Sequence, residues 1–193
     1  MTDKPHIIVG ISGASGAIYG IRMLEALKAA GVTTHLMISK AAQITIAHET
    51  DYSVDDVKKL ASHYYNVSDL AACISSGSFK TSGMVIAPCS MRTLAEIATA
   101  NTSSLMSRSA DVILKERRKL VLMVRETPLN NAHLRNMLYV SEMGGIIAPP
   151  VPAMYSKPVS IEDMISHTIG RILDVFEVDH TLVSRWQGLK KEK

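Results

Sequence analysis

The sequence predicts a single α/β domain in which a doubly wound parallel sheet is covered by helices on both faces. Short apolar runs alternate along the chain with amphipathic stretches of helical period, which is the pattern of successive βαβ units. The 193 residues, 47% of them hydrophobic, are enough for one domain with a proper core, and no repeat or linker divides them. We therefore expect one domain over residues 1–193, with a C-terminal helix and tail from about residue 160.

The first half of the chain predicts two strands and three helices. The predicted elements are strands at residues 6–11 and 32–39 and helices at residues 17–30, 40–49 and 53–64. Ser39 is a candidate N-cap for the second helix, and the Ser-x-x-Asp that begins at Ser53 is a capping signal for the third. Residues 66–82 are rich in Ser and Gly and are expected to form a loop with a short element.

The second half continues the alternation and brings the predicted sheet to five strands. The predicted elements are strands at residues 84–88, 120–125 and 146–149 and helices at residues 90–100, 104–118, 130–143 and 160–178. Ser90 is a candidate N-cap, and the last helix carries an apolar stripe that begins at Ile161. The pattern is that of Rossmann-like and flavodoxin-like sheets, whose ligands bind at the carboxyl ends of the strands where the strand order switches.

Composition excludes several classes of protein. A net charge of +3 is too small to indicate nucleic-acid binding, and no apolar run approaches the roughly 20 residues that span a membrane. The N-terminus has no signal-peptide pattern, so a cytoplasmic location is expected. Cys73 and Cys89 do not form a C-x-x-C motif and the histidines show no ligand spacing, so neither a metal site nor a disulfide is predicted.

A glycine-rich loop follows the first strand and opens the first helix. Gly10, Gly13 and Gly16 are spaced G-x-x-G-x-x-G, with Ser12 and Ser15 between them as possible hydroxyl donors. The spacing is not that of a nicotinamide fingerprint, and the G-K-[ST] of a phosphate loop and the G-x-S-x-G of a nucleophile elbow are absent. Two interpretations stay open, a tight turn that packs strand against helix and an anion site at the helix N-terminus.

A second polar loop favours a flavin mononucleotide site. Pro88, Cys89, Ser90, Arg92 and Thr93 follow the strand at 84–88 and begin the next helix. Two such loops on adjacent strands form a crevice suited to FMN. Cys89 itself is interpreted as a small buried residue rather than a nucleophile.

A group of charged residues follows. Arg108 and Lys115 lie seven residues apart, hence on one helix face, and Arg125 and Glu126 close the fourth strand. Surface ion pairs are one interpretation. The other is a substrate phosphate beside the flavin together with an acid–base group, because the end of a parallel strand is a functional position.

Four motifs, in this order, resemble the flavin prenyltransferases, the UbiX-type proteins that accompany UbiD-type decarboxylases. They are "GISGASGAIYG", "APCSMRTLA", "ADVILKERRKLVLMVRETPL" and "PPVPAMY", and the similarity covers nearly the whole chain. The resemblance implies that reduced FMN reacts with dimethylallyl phosphate without a metal, at flavin N5 and then C6. The prenylated FMN then passes to the decarboxylase. It also implies a homo-oligomer, typically a dodecamer, with sites between subunits.

The resemblance also implies roles for individual residues. The implied FMN-binding residues are Gly13, Ala14, Ser15, Ser39, Ser90, Met91, Arg92, Thr93 and Arg125. The implied substrate-phosphate residues are Arg108, Lys115, Tyr155 and Arg171. Ser15, Glu49, Lys115 and Glu126 are the implied catalytic residues, with Glu126 favoured over Glu49 for proton handling. Some members carry a tryptophan over the prenyl pocket; Phe79 is either its replacement here or a core residue.

Two other functions fit parts of the pattern. A cysteine-type flavin decarboxylase of related fold is expected to show "S-A-N-T"-like and "A-x-x-M-N" motifs, where this chain has "CSMRT" and "RETPL". A flavin-carrier or regulatory subunit of an aromatic acid decarboxylase complex needs a flavin pocket only. Lys115, Glu126, Tyr155 and Arg171 together argue against that carrier, because a storage pocket needs no second phosphate site.

Overall fold

A computed structural model of the chain describes residues 5–183 and residue 188. It contains the predicted parallel sheet, with six strands where five were predicted. The strands are β1 (His6–Ile11), β2 (Thr33–Ile38), β3 (His63–Tyr65), β4 (Gly83–Cys89), β5 (Lys119–Val124) and β6 (Ile146–Ile147). They are all parallel and lie in the order β3-β2-β1-β4-β5-β6. The order switches between β1 and β4, so a crevice is expected at their carboxyl ends.

The described part of the chain contains seven α-helices, six of which lie between strands, while the seventh follows the last strand. They are α1 (Ala17–Ala29), α2 (Lys40–Glu49), α3 (Val54–Leu60), α4 (Met91–Ala98), α5 (Leu105–Lys115), α6 (Asn131–Glu142) and α7 (Ile161–Val175). Short 3-10 turns occur at Cys73–Ser75 and Met154–Ser156. The predicted caps are confirmed, because Ser39, Ser53 and Ser90 each accept a backbone N–H of the following first turn. None of these helices is long and apolar enough to cross a bilayer, and the cytoplasmic location stays a prediction.

The core consists of two apolar layers, one on each face of the sheet. Alternate strand residues point to opposite faces, so Ile7 and Val9 pack with α1, α2, α3 and α7, whereas Ile8 packs with α4, α5 and α6. Both faces are therefore covered, which accounts for the apolar character of the central strands. This packing leaves the polar loops at the carboxyl edge of the sheet to form a site.

Several predicted boundaries were wrong. The helix predicted over 53–64 ends at Leu60, and residues 63–65 pair with β2 as an edge strand. The helix predicted over 104–118 ends at Lys115, because Arg117 takes a left-handed φ of 56° that turns the chain into β5. The last helix ends at Val175, and Ile161 of its predicted apolar stripe is 76% exposed. Of the predicted tail, residues 184–187 and 189–193 lie outside the described residues.

Three histidine rings stack at the amino-terminal side of the sheet. The His6 and His35 ring centroids are 5.2 Å apart, and those of His35 and His63 are 4.9 Å apart. Burial, together with the two neighbouring imidazoles, lowers the pKa of His35 to about 4. His35 is therefore neutral in the folded protein at pH values where an unfolded chain would protonate it.

This stack predicts that the protein loses stability on mild acidification. Because the pKa of His35 is about 4 when folded and ~6.5 when unfolded, its contribution is complete above pH 6.5 and declines as the pH falls towards 4. We expect the free energy of unfolding in urea to fall by on the order of 2 kcal/mol more in wild type than in His35→Gln between pH 7 and 4.5. Carboxylates titrate in both proteins, so their effect is common to the two. If the free energy of unfolding falls in parallel with pH in wild type and in His35→Gln, the prediction is contradicted.

Candidate functional site

A cleft of about 530 Å³ lies at the carboxyl ends of β1, β2 and β4, where the strand order switches. Its volume is in the range of small-molecule and cofactor pockets. The lining residues are Gly13, Ser39, Lys40, Ala41, Val67, Ser90, Arg92, Thr93, Glu96, Ser104 and Met106. The two loops that the sequence singled out therefore meet in one site, as predicted from the parallel strand order.

Ser12 joins the two loops. Its buried hydroxyl donates to the carbonyl of Pro88 at 2.8 Å and accepts the backbone N–H of Ser90 at 2.7 Å. The hydroxyl proton and one acceptor lone pair are therefore used in fixing the β1 loop against the β4 loop. The sequence predicted Ser12 as a possible hydroxyl donor to a ligand. That prediction is wrong for Ser12, because its hydroxyl proton is bound to the carbonyl of Pro88 and the residue is structural.

Two positions of the loop require glycine, each for a different structural reason. A Cβ at Gly13 would lie 2.3 Å from the Cβ of Ala41, so the β1 loop can approach the start of α2 only without a side chain there. Gly16 has a φ of 100°, a left-handed conformation that other residues rarely adopt. The loop thus needs glycine both for close packing and for its turn.

The N-terminus of α1 is occupied by the chain's own carboxylate. Glu49, at the end of α2, accepts the backbone N–H groups of Gly16 and Ala17 at 2.7 and 3.1 Å. Of the two interpretations left open for this loop, the anion site for a ligand phosphate is contradicted at these N–H groups, because Glu49 accepts both. Partial burial raises the pKa of Glu49, but the hydrogen bonds from Gly16, Ala17 and Ser15 and the charge of Arg125 outweigh it. The pKa is lowered overall, so Glu49 is a carboxylate at neutral pH.

The N-termini of α2 and α4 both face the cleft. Ser39 accepts the N–H of Ala42 at 3.1 Å, and Ser90 accepts that of Thr93 at 3.3 Å. The cations Lys40 and Arg92 lie beside these caps, with Arg92 paired to Glu96 at 3.0 Å. Hydroxyls, helix N-termini and cations in one cleft fit the phosphate and ribityl hydroxyls of FMN.

The remaining implied flavin residues lie next to the cleft lining. Ala14 is buried and donates its backbone N–H to the carbonyl of Ser12, while Ser15 is exposed on the same loop. Met91 is half-buried and packs on the core beneath α4. Arg125 follows β5, donates its N–H to the carbonyl of Cys89 at 3.2 Å, and lies close enough to Glu49 to lower its pKa.

Glu126 is exposed directly after Arg125. Its carboxylate accepts the backbone N–H of Thr127 at 2.9 Å. Among the described residues it forms no ion pair with Arg125 or Lys115. The structure therefore places Glu126 at the functional edge of the sheet with most of its hydrogen-bonding capacity available.

The cations Arg108 and Lys115 of α5 do not line the cleft of their own chain. Arg108 donates to the carbonyl of Ser75 and pairs with Asp111 at 2.9 Å. Lys115, paired with Glu116, is the last residue of α5, roughly 15 Å of helix beyond the cleft. A single chain does not bring these two cations to its own cleft.

Phe79 likewise lies at the opposite edge of the sheet. Its ring makes edge-on contacts with His6 and His35, at centroid distances of 5.8 and 5.2 Å. The backbone carbonyl of Phe79 accepts a hydrogen bond from the guanidinium of Arg118, the residue before β5. The suggestion that Phe79 covers a prenyl pocket therefore finds no support within one chain, and its contacts are those of a packing residue.

Tyr155 and Arg171 lie outside the cleft lining, associated with α7. The Tyr155 ring is 60% exposed, and its hydroxyl lies 3.3 Å from Nε2 of His167. Arg171 is exposed and pairs with Asp174 at 2.7 Å. His167 and Arg171 are one helical turn apart on α7. Tyr155, through its contact with His167, and Arg171 are therefore both held near the same part of this helix.

Sequence reasoning missed some residues of the site. Glu96 lines the cleft from within α4 and Met106 from the first turn of α5, and nothing in the sequence distinguishes either residue. Lys40 follows the predicted cap Ser39 directly, and that adjacency was a usable signal. Cys89 is fully buried, and burial raises the pKa of its thiol, in agreement with its interpretation as an inert core residue.

Comparison with known proteins agrees with this architecture. Residues 1–185 match the family described as Flavoprotein. The chain is 53% identical to a protein of Bacillus subtilis named probable UbiX-like flavin prenyltransferase, over 98% of this chain and 93% of the relative.

Two solved structures are similar over nearly the whole chain. One is AnUbiX (PadA1) in complex with FMN and dimethylallyl pyrophosphate, at 51% identity and a TM-score of 0.95, covering 97% of this chain and 100% of that one. The other is a dodecameric FMN-dependent UbiX-like decarboxylase from Escherichia coli O157:H7, at 49% identity and a TM-score of 0.92, covering 95% and 100%. With its two-loop cleft and this similarity, the chain belongs to the UbiX-type flavin prenyltransferases of the flavoprotein family.

Proposed function

We propose that this protein transfers the dimethylallyl group of dimethylallyl phosphate to reduced FMN, at N5 and C6, and releases prenylated FMN and phosphate. The observation that carries the proposal is the cleft between the Gly13 loop and the Ser90–Thr93 loop, in a chain that belongs to this family. A related protein has been crystallised with FMN and dimethylallyl pyrophosphate. Reduced FMN supplies the nucleophilic ring atoms, and the protein supplies binding, orientation and charge.

We assign FMN binding to the two loops and their neighbours. The assigned residues are Gly13, Ala14, Ser15, Ser39, Ser90, Met91, Arg92, Thr93 and Arg125. The hydroxyl caps of α2 and α4 and the cation Arg92 lie in the cleft, where they can bind a phosphate and polyol. Glu49 fills the N-terminus of α1, so the flavin phosphate is assigned to the α2 and α4 side.

We assign the substrate phosphate to Tyr155 and Arg171, together with Arg108 and Lys115, across subunit boundaries. A leaving monophosphate carries negative charge, which these cations stabilise in place of a metal. The support is that Tyr155, Lys115 and Arg171 are exposed and that a related protein is a dodecamer. The exposed apolar side chains of Leu134 and Leu138 on α6 are typical of a surface covered by another subunit.

We assign proton handling to Glu126 and orientation to Glu49 and Ser15. Loss of the proton from C6 requires a base, and Glu126 is an exposed carboxylate at the functional edge. Glu49 stays ionised through its bonds to the α1 N-terminus and lies beside Ser15 and Arg125. The product is proposed to serve a UbiD-type decarboxylase, as the family resemblance implies.

The proposal is tested by incubating the purified protein anaerobically with reduced FMN and dimethylallyl phosphate. We expect a flavin heavier by one C5H8 unit and an equivalent of phosphate, without added metal. A chelator should leave the rate unchanged, and calorimetry should show binding of FMN but not NAD. Unchanged FMN in a protein that binds it would indicate the carrier function instead, and decarboxylation of a cysteine-terminated peptide would indicate the cysteine-type enzyme.

A further inference from the structure

A buried histidine of α7 lies against the exposed Tyr155. His167 is only 9% exposed, and its Nε2 is 3.3 Å from the Tyr155 hydroxyl. The two rings also meet edge-on, with centroids 5.7 Å apart and planes at 83°. The histidine therefore contacts both the phenol ring and its oxygen.

The contact ties an exposed turn to the packed face of a long helix. Tyr155 belongs to the short 3-10 turn Met154–Ser156, which is followed by Lys157 with a left-handed φ of 51°. His167 lies among core residues of α7 such as Ile165 and Ile169. A side chain on such a turn gains a defined direction from a partner that is itself fixed by packing.

The same helix also orients the second predicted phosphate ligand. Arg171 follows His167 by four residues, so the two project from neighbouring positions on α7. Asp174 holds the Arg171 guanidinium at 2.7 Å, and Nε2 of the nearly buried His180 lies 3.1 Å from that carboxylate. The phenol and the guanidinium are thus both held by partners on or beside α7.

We propose that His167 is a positioning residue that aims the Tyr155 hydroxyl at the phosphate of dimethylallyl phosphate. When Tyr155 donates its O–H to a phosphate oxygen, the phenol oxygen is left to accept a hydrogen bond from Nε2–H of His167. The histidine then acts through Tyr155 and touches neither substrate. This inference rests on the proposed function, because it takes Tyr155 as a phosphate ligand.

The test is a double-mutant cycle of His167→Phe and Tyr155→Phe, with His167→Gln as the conservative variant. Phenylalanine keeps the edge-on ring contact and removes the nitrogen, whereas glutamine keeps an N–H donor. For His167→Phe we expect the KM for dimethylallyl phosphate to rise about tenfold, with kcat and the Kd for FMN within about twofold of wild type. His167→Gln should stay within about threefold in KM, and adding His167→Phe to Tyr155→Phe should have no further effect.

Each of the other outcomes contradicts either the proposed function or this inference. If Tyr155→Phe leaves KM unchanged, the phosphate role of Tyr155 under the proposed function fails and this inference fails with it. If Tyr155→Phe raises KM but His167→Phe does not, or the two effects multiply, the inference alone fails. Equal losses of kcat and melting temperature in His167→Phe and His167→Gln would make His167 a packing residue only.

Discussion

Replacing Glu49 with glutamine is expected to slow prenyl transfer by about 10²-fold while FMN still binds. The carboxylate accepts two N–H groups at the start of α1 and carries a charge beside Ser15 and Arg125. Glutamine keeps one oxygen for the helix but removes the charge, and it places an amide N–H₂ where a second acceptor oxygen stood. Loss of a positioned ionised group at a reacting centre has effects of this order.

The measurement is a single-turnover assay of prenylated flavin together with the Kd for FMN. Glu177→Gln is the matched control, because Glu177 is also a carboxylate of lowered pKa, paired with Lys119 at the opposite edge of the sheet. That control should keep the wild-type rate. Since the pKa of Glu49 is lowered, its ionisation should not limit the rate of wild type between pH 6 and 8. A wild-type rate in Glu49→Gln would end the catalytic assignment of this residue.

The Glu126→Gln variant is expected to form the ring-closed product about 10²–10⁴-fold more slowly, the usual contribution of a general base. Glu126 follows Arg125 at the end of β5, and its carboxylate is bound only to the N–H of Thr127 among the described residues. Because no other described residue forms an ion pair with it, loss of the charge should not disturb the fold. FMN binding and the consumption of dimethylallyl phosphate should continue, which separates ring closure from the first bond formation.

Mass spectrometry of quenched reactions follows the two stages separately. Glu142→Gln, an exposed carboxylate at the end of α6, serves as the control and should behave as wild type. Equal rates of ring closure in Glu126→Gln and wild type would exclude proton handling by Glu126. In that case the released phosphate, or Glu49, is left as the base.

Local signals in the sequence predicted the central strands and the helix caps well. Ser39, Ser53 and Ser90 were identifiable because a capping side chain bonds within three residues of itself. Strand β3 was missed because His63–Tyr65 follow a helical pattern, and only pairing with β2 makes them a strand. Tyr64 and Tyr65 themselves favour a strand, but a run of three residues directly after a helix is too short a local signal.

The location of the site was predictable from the sequence, but the hydrogen bonds that connect its loops were not. Parallel strands end at one edge, so the Gly13 and Ser90 loops were expected to meet. The bond from Ser12 to Ser90 spans 78 residues and that from Glu49 to Gly16 spans 33, and no local pattern encodes either. Phe79 was assigned by its residue type alone, and in the structure its ring contacts His6 and His35 of the histidine stack.

Lys115 lies at the far end of α5 from the cleft of its own chain. Under the proposed assignment, the activity therefore depends on the protein concentration. A chain that borrows a cation from its neighbour is competent only while the neighbour is bound, so mass action sets the active fraction. Specific activity should then fall on dilution through the dissociation range of the oligomer and return on concentration. A cell that doubles a scarce supply of this chain would gain more than twice the catalytic capacity.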